Sequence, residues 1–295
     1  MIDHLTIKSF KSIKDLSFSC KKINIFIGEP NVGKSNLLEA LSLFSCPYLR
    51  QGGQIFPRLV RFENFTNLFC GDEIKNPIHI LASEDGCRHE FTISYQGNSY
   101  LGNYHRSSLM DKMISSSPAE IFSFRANSGG VTFWQPSVTP EPLPIQSRFR
   151  AYKFGALKMF PAQDLDFLEP LDGPNLLFLL RTNGELYKLA DELFRARGYR
   201  LVLRPHENKM EIQNSKDARL ILFPYSTASD TLQRFIFHLA AIETNHNAVI
   251  VLEEPESHAF PYYTKILAES MALDEGGNQF FITTHNPYFL FPLVC

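Results

Sequence analysis

The sequence has no CxxC pair. Its five cysteines (Cys20, Cys46, Cys70, Cys87, Cys295) are scattered and odd in number, so neither a zinc site nor a disulfide framework is indicated, and a reducing cytoplasm fits best. Long apolar runs are missing as well. The longest, Val249 to Leu252 and Leu176 to Leu180, are far shorter than the roughly 20 residues of a membrane span, and the opening MIDHLTIKSF lacks a basic-then-apolar leader. The expectation is a soluble cytoplasmic protein without membrane contact. Charge of one sign is not in excess: a net charge of −2 argues against a surface wrapped generally in nucleic acid. Arg148, Arg150, Lys153 and Lys158 form a local basic cluster, to be read as a solvated face or as a DNA contact. There is no internal repeat, low-complexity tract or sustained heptad, which excludes solenoids and leaves no room for a long coiled coil.

What is present suffices for one large core or two ordinary ones: 295 residues, 44% hydrophobic and 20% charged. IDHLTIKSF alternates apolar and polar residues like a strand, and a second strand, Ile23 to Ile27, runs directly into GEPNVGKSNLLEALSLF. Between about 50 and 160 only short strand-like pieces appear, IHILAS and HEFTISY among them, separated by Gly, Pro, Asn and Ser clusters, which reads as a loop-rich β insertion. Apolar residues at helical spacing predict a helix over 175–197 with Gly198 as its C-cap. Strands follow at YRLVLR, KMEIQ and RLILFP. SDTLQRFIFHLAAIE reads as a buried helix capped by Ser229 or Asp230, because it is apolar nearly all round. A strand at Ala248 to Leu252, a helix over 262–273 and a strand at Gln279 to Ile282 give an alternating β/α finish.

Three segments carry chemistry. GEPNVGKS, residues Gly28, Glu29, Pro30, Asn31, Val32, Gly33, Lys34 and Ser35, matches GxxxxGK followed by Ser in full, and it sits between a strand and a helix as that motif must. The glycines let the backbone curl so that its amides point inward, and the helix N-terminus adds partial positive charge, which together make a polyphosphate cradle. Lys34 is then expected to reach the β- and γ-phosphates and the Ser35 hydroxyl to ligate Mg²⁺, with Asn36 completing the cofactor-binding run. The strand AVIVL stops on Glu253 and Glu254; in an open α/β sheet ligands sit at the carboxyl ends of strands, so the pair can divide the labour. Glu253 would hold Mg²⁺ through water, and Glu254 would polarise the water that attacks the γ-phosphate. FFITTHNP ends another short strand and delivers His285 to the same edge, where an imidazole can donate to phosphate or to the attacking water.

These segments, with LTIKSFKSIKDLSF and TLQRFIFHLAAIE, make the sequence resemble the ABC-type ATPase heads of the SMC, RecF and OLD-like group, the AAA15 and AAA21 kinds of AAA-type ATPase. The likeness covers roughly residues 1–45 and 220–290, with the motifs in the family's order. It implies an α/β P-loop NTPase: a mixed central sheet flanked by helices, a nucleotide-binding core over 1–45 and 220–295, and a β-rich insertion and helical lobe over about 46–219, all within one ATPase domain. It implies ATP with Mg²⁺, and head-to-tail homodimers in which each nucleotide is sandwiched between two protomers. Under it Gly28 to Ser35 is Walker A, Val249 to Glu254 is Walker B, His285 is the switch histidine, and STASDTLQR stands at the signature position with Ser229 reaching the partner's γ-phosphate. His258 becomes a contact across the dimer. The sequence departs from the family pattern at Glu253, where Asp is commoner, and at Thr231, where a glycine is usual. Gln51 and Gln54 follow the first helix without a pattern that would make either the Q-loop glutamine.

Other classes fit less well. NKME at 208–211 resembles a guanine-reading NKxD but has Glu211 for the Asp and lies inside a strand-like stretch, and a small-molecule kinase does not need the Glu253, Glu254 and His285 set. The expected activity is an Mg²⁺-ATPase acting as a conformational switch for a separate effector such as a nuclease or toxin, in DNA repair or phage defence by analogy. The alternative is a non-hydrolysing, ATP-bound scaffold that sequesters or recruits such a partner.

Overall fold

The computed structural model describes residues 1–48, 56–108, 119–127, 130–134, 147–214 and 221–294. Gln51, Gln54 and Cys295 lie outside them. In chain order the strands are β1 (Ile2–Phe10), β2 (Ile13–Ser19), β3 (Ile23–Phe26), β4 (Ile78–Glu84), β5 (Cys87–Gln96), β6 (Ser99–Ser108), β7 (Ala119–Asn127), β8 (Gly130–Trp134), β9 (Phe149–Tyr152), β10 (Tyr199–Arg204), β11 (Lys209–Asn214), β12 (Leu222–Pro224), β13 (Val249–Glu253) and β14 (Gln279–Thr283). The α-helices are α1 (Lys34–Ser42), α2 (Phe56–Leu59), α3 (Leu176–Thr182), α4 (Gly184–Arg195), α5 (Asp230–Glu243), α6 (Pro261–Ala272) and α7 (Pro287–Val294). The chain forms two compact units, one of 1–151, 247–253 and 278–283, the other of 152–246, 254–277 and 284–295.

The first unit holds two sheets. One is a seven-stranded antiparallel sheet in the order β2-β1-β4-β5-β6-β7-β8. Its central strands bury alternate residues (Phe91 and Ile93 on β5, Ile78 and Ile80 on β4), the period-2 pattern of a sheet with one face on a core. Within the region expected to be loop-rich, the described residues between 78 and 134 form a five-strand meander, β4 to β8. Their polar, half-buried faces, such as CRHEFTISYQ, dilute the apolar signal that would have revealed them. Phe44, just past α1, fills the core with Phe149, Tyr104 and Phe91 at ring centroid separations of 4.5, 5.1 and 6.0 Å, distances typical of favourable aromatic pairs.

The second sheet runs β3-β14-β13-β9, with β3, β14 and β13 parallel. Every residue of β14 and the first four of β13 are buried, as parallel strands covered on both faces must be. Buried Gln279 ties this sheet to the N-terminus by accepting from the Ile2 amide at 2.7 Å and donating to the Ile2 carbonyl at 2.8 Å.

The second unit is built around α5, whose residues are buried on nearly all sides as its apolar composition predicted, and it includes the antiparallel sheet β10-β11-β12. The single helix predicted over 175–197 is two helices, since Asn183 leaves helical geometry (φ −105°, ψ 100°) and its side chain accepts from the Leu186 amide at 3.0 Å, capping α4. The basic cluster also resolves differently from expectation. Arg148 is ion-paired to Glu84 and Arg150 is 8% exposed, which leaves Lys153 and Lys158 as its exposed members. No helix among the described residues is long and apolar enough to cross a membrane.

Candidate functional site

β3 feeds the loop Gly28 to Gly33, and Gly33 occupies the N-cap position of α1 at φ +95°. That left-handed conformation suits glycine, and a Cβ there would meet the Ser12 hydroxyl at 2.7 Å. The α1 N-terminus carries Lys34, Ser35 and Asn36. The Lys34 ammonium donates to the carbonyls of Gly28 (2.8 Å) and Glu29 (2.6 Å), so it lies over the loop. Asn36 donates to the Ser12 hydroxyl at 2.8 Å. Glu29, Pro30, Asn31 and Val32 are exposed along the loop, with Asn31 at φ +64°.

Strand register places the carboxylate. Phe26 pairs with Thr283, and Thr283 pairs with Glu253, so three parallel strands end in one row. Glu253 is two strand spacings, about 10 Å, from the residue that leads into the loop. The phosphate loop and Glu253 therefore share the carboxyl edge of this sheet, the usual ligand side. Arg61 donates to Glu253 at 3.0 Å and to Glu39 at 2.6 Å, while Lys11 makes an ion pair with Glu39 and donates to the Arg61 carbonyl at 2.5 Å. Glu39 is 5% exposed on α1. The network fixes the orientation of Glu253 from the phosphate-loop helix. Sequence reasoning missed Arg61, Lys11 and Glu39; an acidic residue on the apolar face of NLLEALSLF was the available signal, because a buried charge needs a partner. Hydroxyl and carboxylate oxygens are the hard donors Mg²⁺ takes, so Ser35 and Glu253 fit that ion chemically.

In the second unit, Glu254 adopts φ +43° and its carboxylate is 3.5 Å from His285 Nε2. Each of these side chains is 44% exposed. Ser257 donates to Glu254 at 3.1 Å, closing a turn behind it. Beneath His285, buried Glu256 is hydrogen-bonded to the buried Thr284 hydroxyl, which in turn accepts from the Asn286 amide at 3.0 Å. Burial pushes the Glu256 carboxyl above its usual range, outweighing the Thr284 bond. Glu256 thus serves as a buried, hydrogen-bonded group that holds the segment bearing His285, a role the run EEPES concealed beside two more obvious carboxylates. Ser229 is exposed at the N-cap position of α5 with no side-chain capping bond. Thr231, where the family pattern has glycine, donates to the His258 carbonyl at 2.8 Å. Asn208 of NKME sits in the turn between β10 and β11 at φ +53°, the geometry of a hairpin connection.

Two family models match the sequence. The one described as "AAA domain, putative AbiEii toxin, Type IV TA system" covers residues 140–290, just over half the chain, and the one described as "AAA ATPase domain" covers residues 1–79. No curated protein matches. The crystal structure of an SMC head bound to the C-winged helix domain of ScpA matches with a TM-score of 0.52 at 15% identity, covering 99% of this chain and 91% of that one. The SMC head domain from Thermotoga maritima (TM-score 0.41, 12% identity) and the Smc head with an extended coiled coil from Pyrococcus furiosus, bound to the C-terminal domain of ScpA (TM-score 0.45, 13% identity), match over the same 99% and 91%. At those scores these two add nothing to the assignment. The first likeness shows the fold, that of an SMC-type P-loop NTPase head.

Proposed function

Since this chain belongs to the AAA-domain family whose description includes the AbiEii toxin of Type IV toxin–antitoxin systems, we propose that it binds ATP with Mg²⁺ and hydrolyses it to ADP and phosphate as a conformational switch. The observation that carries this reading is the row of strand ends: a phosphate loop leaves one parallel strand, and Glu253 closes another on the same edge. The backbone amides of Gly28 to Gly33 cradle the phosphates, and Lys34 turns from the loop carbonyls to the β- and γ-oxygens. Ser35 and Glu253 hold the metal, which when bound supplies charge neutralisation on the phosphates. Glu254 accepts a proton from the attacking water, and His285 donates to the γ-phosphate. The 3.5 Å contact between these two side chains supports their acting on one water.

In the same reading two heads pair head to tail, Ser229 reaches the partner's γ-phosphate and His258 lies at the interface. The solved SMC head is held by a separate protein, ScpA, and this head likewise works on a separate effector, a nuclease or toxin, in the setting that the family description suggests. One observation favours a second reading, a non-hydrolysing ATP-bound scaffold: the Thr231 hydroxyl at the signature position is already engaged by the His258 carbonyl.

ATPase turnover and light scattering on the wild type and Glu254→Gln separate the two. A hydrolytic switch loses turnover by about 10²-fold or more in the variant and accumulates an ATP-bound dimer. Equal, negligible rates in both proteins leave only the scaffold.

A further inference from the structure

The hairpin β4–β5 carries three donors that the sequence, lacking any CxxC, does not advertise: Glu84, Cys87 and His89 in the run EDGCRH. Glu84 and Cys87 face each other across the turn, and His89 follows two residues on, on the same strand face as Cys87. One donor atom from each lies within 4.8 Å of the others. His89 Nε2 is 3.3 Å from Glu84 Oε1 and 4.0 Å from Cys87 Sγ.

The Ser147 hydroxyl donates to the Phe44 carbonyl at 2.8 Å and accepts from the Phe149 amide at 3.3 Å. His89 Nδ1 is hydrogen-bonded to the Tyr104 hydroxyl, 2.8 Å away. His89 Nε2 faces a carboxylate oxygen and a sulfur. With that nitrogen unprotonated, three electron-rich atoms converge on one point, which is a place for a cation. His89 is 4% exposed, and its ring is oriented from behind by Tyr104, as metal-ligating imidazoles are.

The nitrogen–oxygen spacing matches a metal, and the sulfur lies a few tenths of an ångström beyond it. A tetrahedral zinc with bonds of about 2.0 Å to nitrogen and oxygen and about 2.3 Å to sulfur separates its N and O ligands by about 3.3 Å and its N and S ligands by about 3.6 Å. The remaining contacts are cationic: Arg148 pairs with Glu84 Oε2, the N-terminal amine lies 3.9 Å from the same oxygen, and Arg106 Nε donates to Cys87 Sγ at 3.1 Å. They engage the far oxygen and hold the sulfur as an acceptor, leaving Glu84 Oε1 for the ion.

We propose that Glu84, Cys87 and His89 form a zinc-class metal site that clips the β4–β5 hairpin, with water as fourth ligand. Thiolate with imidazole and carboxylate is a donor set suited to zinc and unsuited to Mg²⁺. The test is a Co²⁺ titration of the full, chelator-stripped chain without nucleotide, followed by absorption. The wild type is expected to show the near-ultraviolet thiolate-to-cobalt band and the visible bands of a tetrahedral site, both displaced by Zn²⁺. Cys87→Ser is expected to remove the near-ultraviolet band, His89→Gln to weaken binding by about tenfold or more, and Cys70→Ser to change nothing. A wild type with no cobalt spectrum overturns the site whatever the variants do. So does a band that survives in Cys87→Ser.

Discussion

Both units pair buried acids with basic side chains, and the second adds buried titratable groups held without a charge partner. In the first, Glu39 is held by Lys11 and Arg61, and Glu84 by Arg148 and His89. In the second, Asp191 is paired with Arg195 and Arg200, but His238 and Glu256 are buried with polar atoms that find no partner. Burial pushes the His238 imidazole down to about 3 and the Glu256 carboxyl up. Paired charges fix geometry, here that of Glu253 and the helix behind the phosphate loop. A buried neutral imidazole such as His238 fixes geometry too, at the cost of sensitivity to pH.

Removing the carboxylate that organises the first network should have the largest effect. Glu39→Ala strands Lys11, which is itself mostly buried, and is expected to cost about 3 kcal/mol in urea unfolding. Arg61 is half exposed and relaxes to solvent, so a larger loss would mean that the network supports more than its own charges. A pH series on the second unit gives the next effect. The folded-state value of His238 lies below its unfolded value of about 6.5, so the stability it contributes is complete above pH ~6.5 and is lost as pH falls toward 3. Its slope is about 1.4 kcal/mol per pH unit. His238→Gln should flatten that acid limb in melts between pH 6.5 and 5; an unchanged slope would move the sensitivity to another group. Smallest is Lys8→Ala, which breaks the surface pair with Asp15 and is expected to change stability by less than about 0.5 kcal/mol.

Legibility in the sequence followed local cause. The loop Gly28 to Ser35, the strand ending on Glu253 and the buried helix α5 are each specified by neighbouring residues: a glycine turn, an apolar run, an all-round apolar helix. The long strands β5 and β6 were underestimated because their solvent faces carry Arg88, Glu90 and Asn103 between core residues such as Phe91 and Tyr104. The break at Asn183 was hidden because apolar spacing continues across it while a single Asx cap ends one helix and starts the next. Arg61 could not be found at all from spacing, since its partners Glu39 and Glu253 are 22 and 192 residues away.

Ser12, at the tip of the β1–β2 hairpin, receives the Asn36 amide and stands where a side chain at position 33 would have to go. Positions 12, 33 and 36 are consequently not free to evolve one at a time. A bulkier residue at 12 would crowd the glycine, an alanine at 33 would displace the hydroxyl, and either would leave Asn36 without its acceptor. Related sequences should exchange this trio together, so that the hairpin tip and the phosphate loop drift as a single inherited unit.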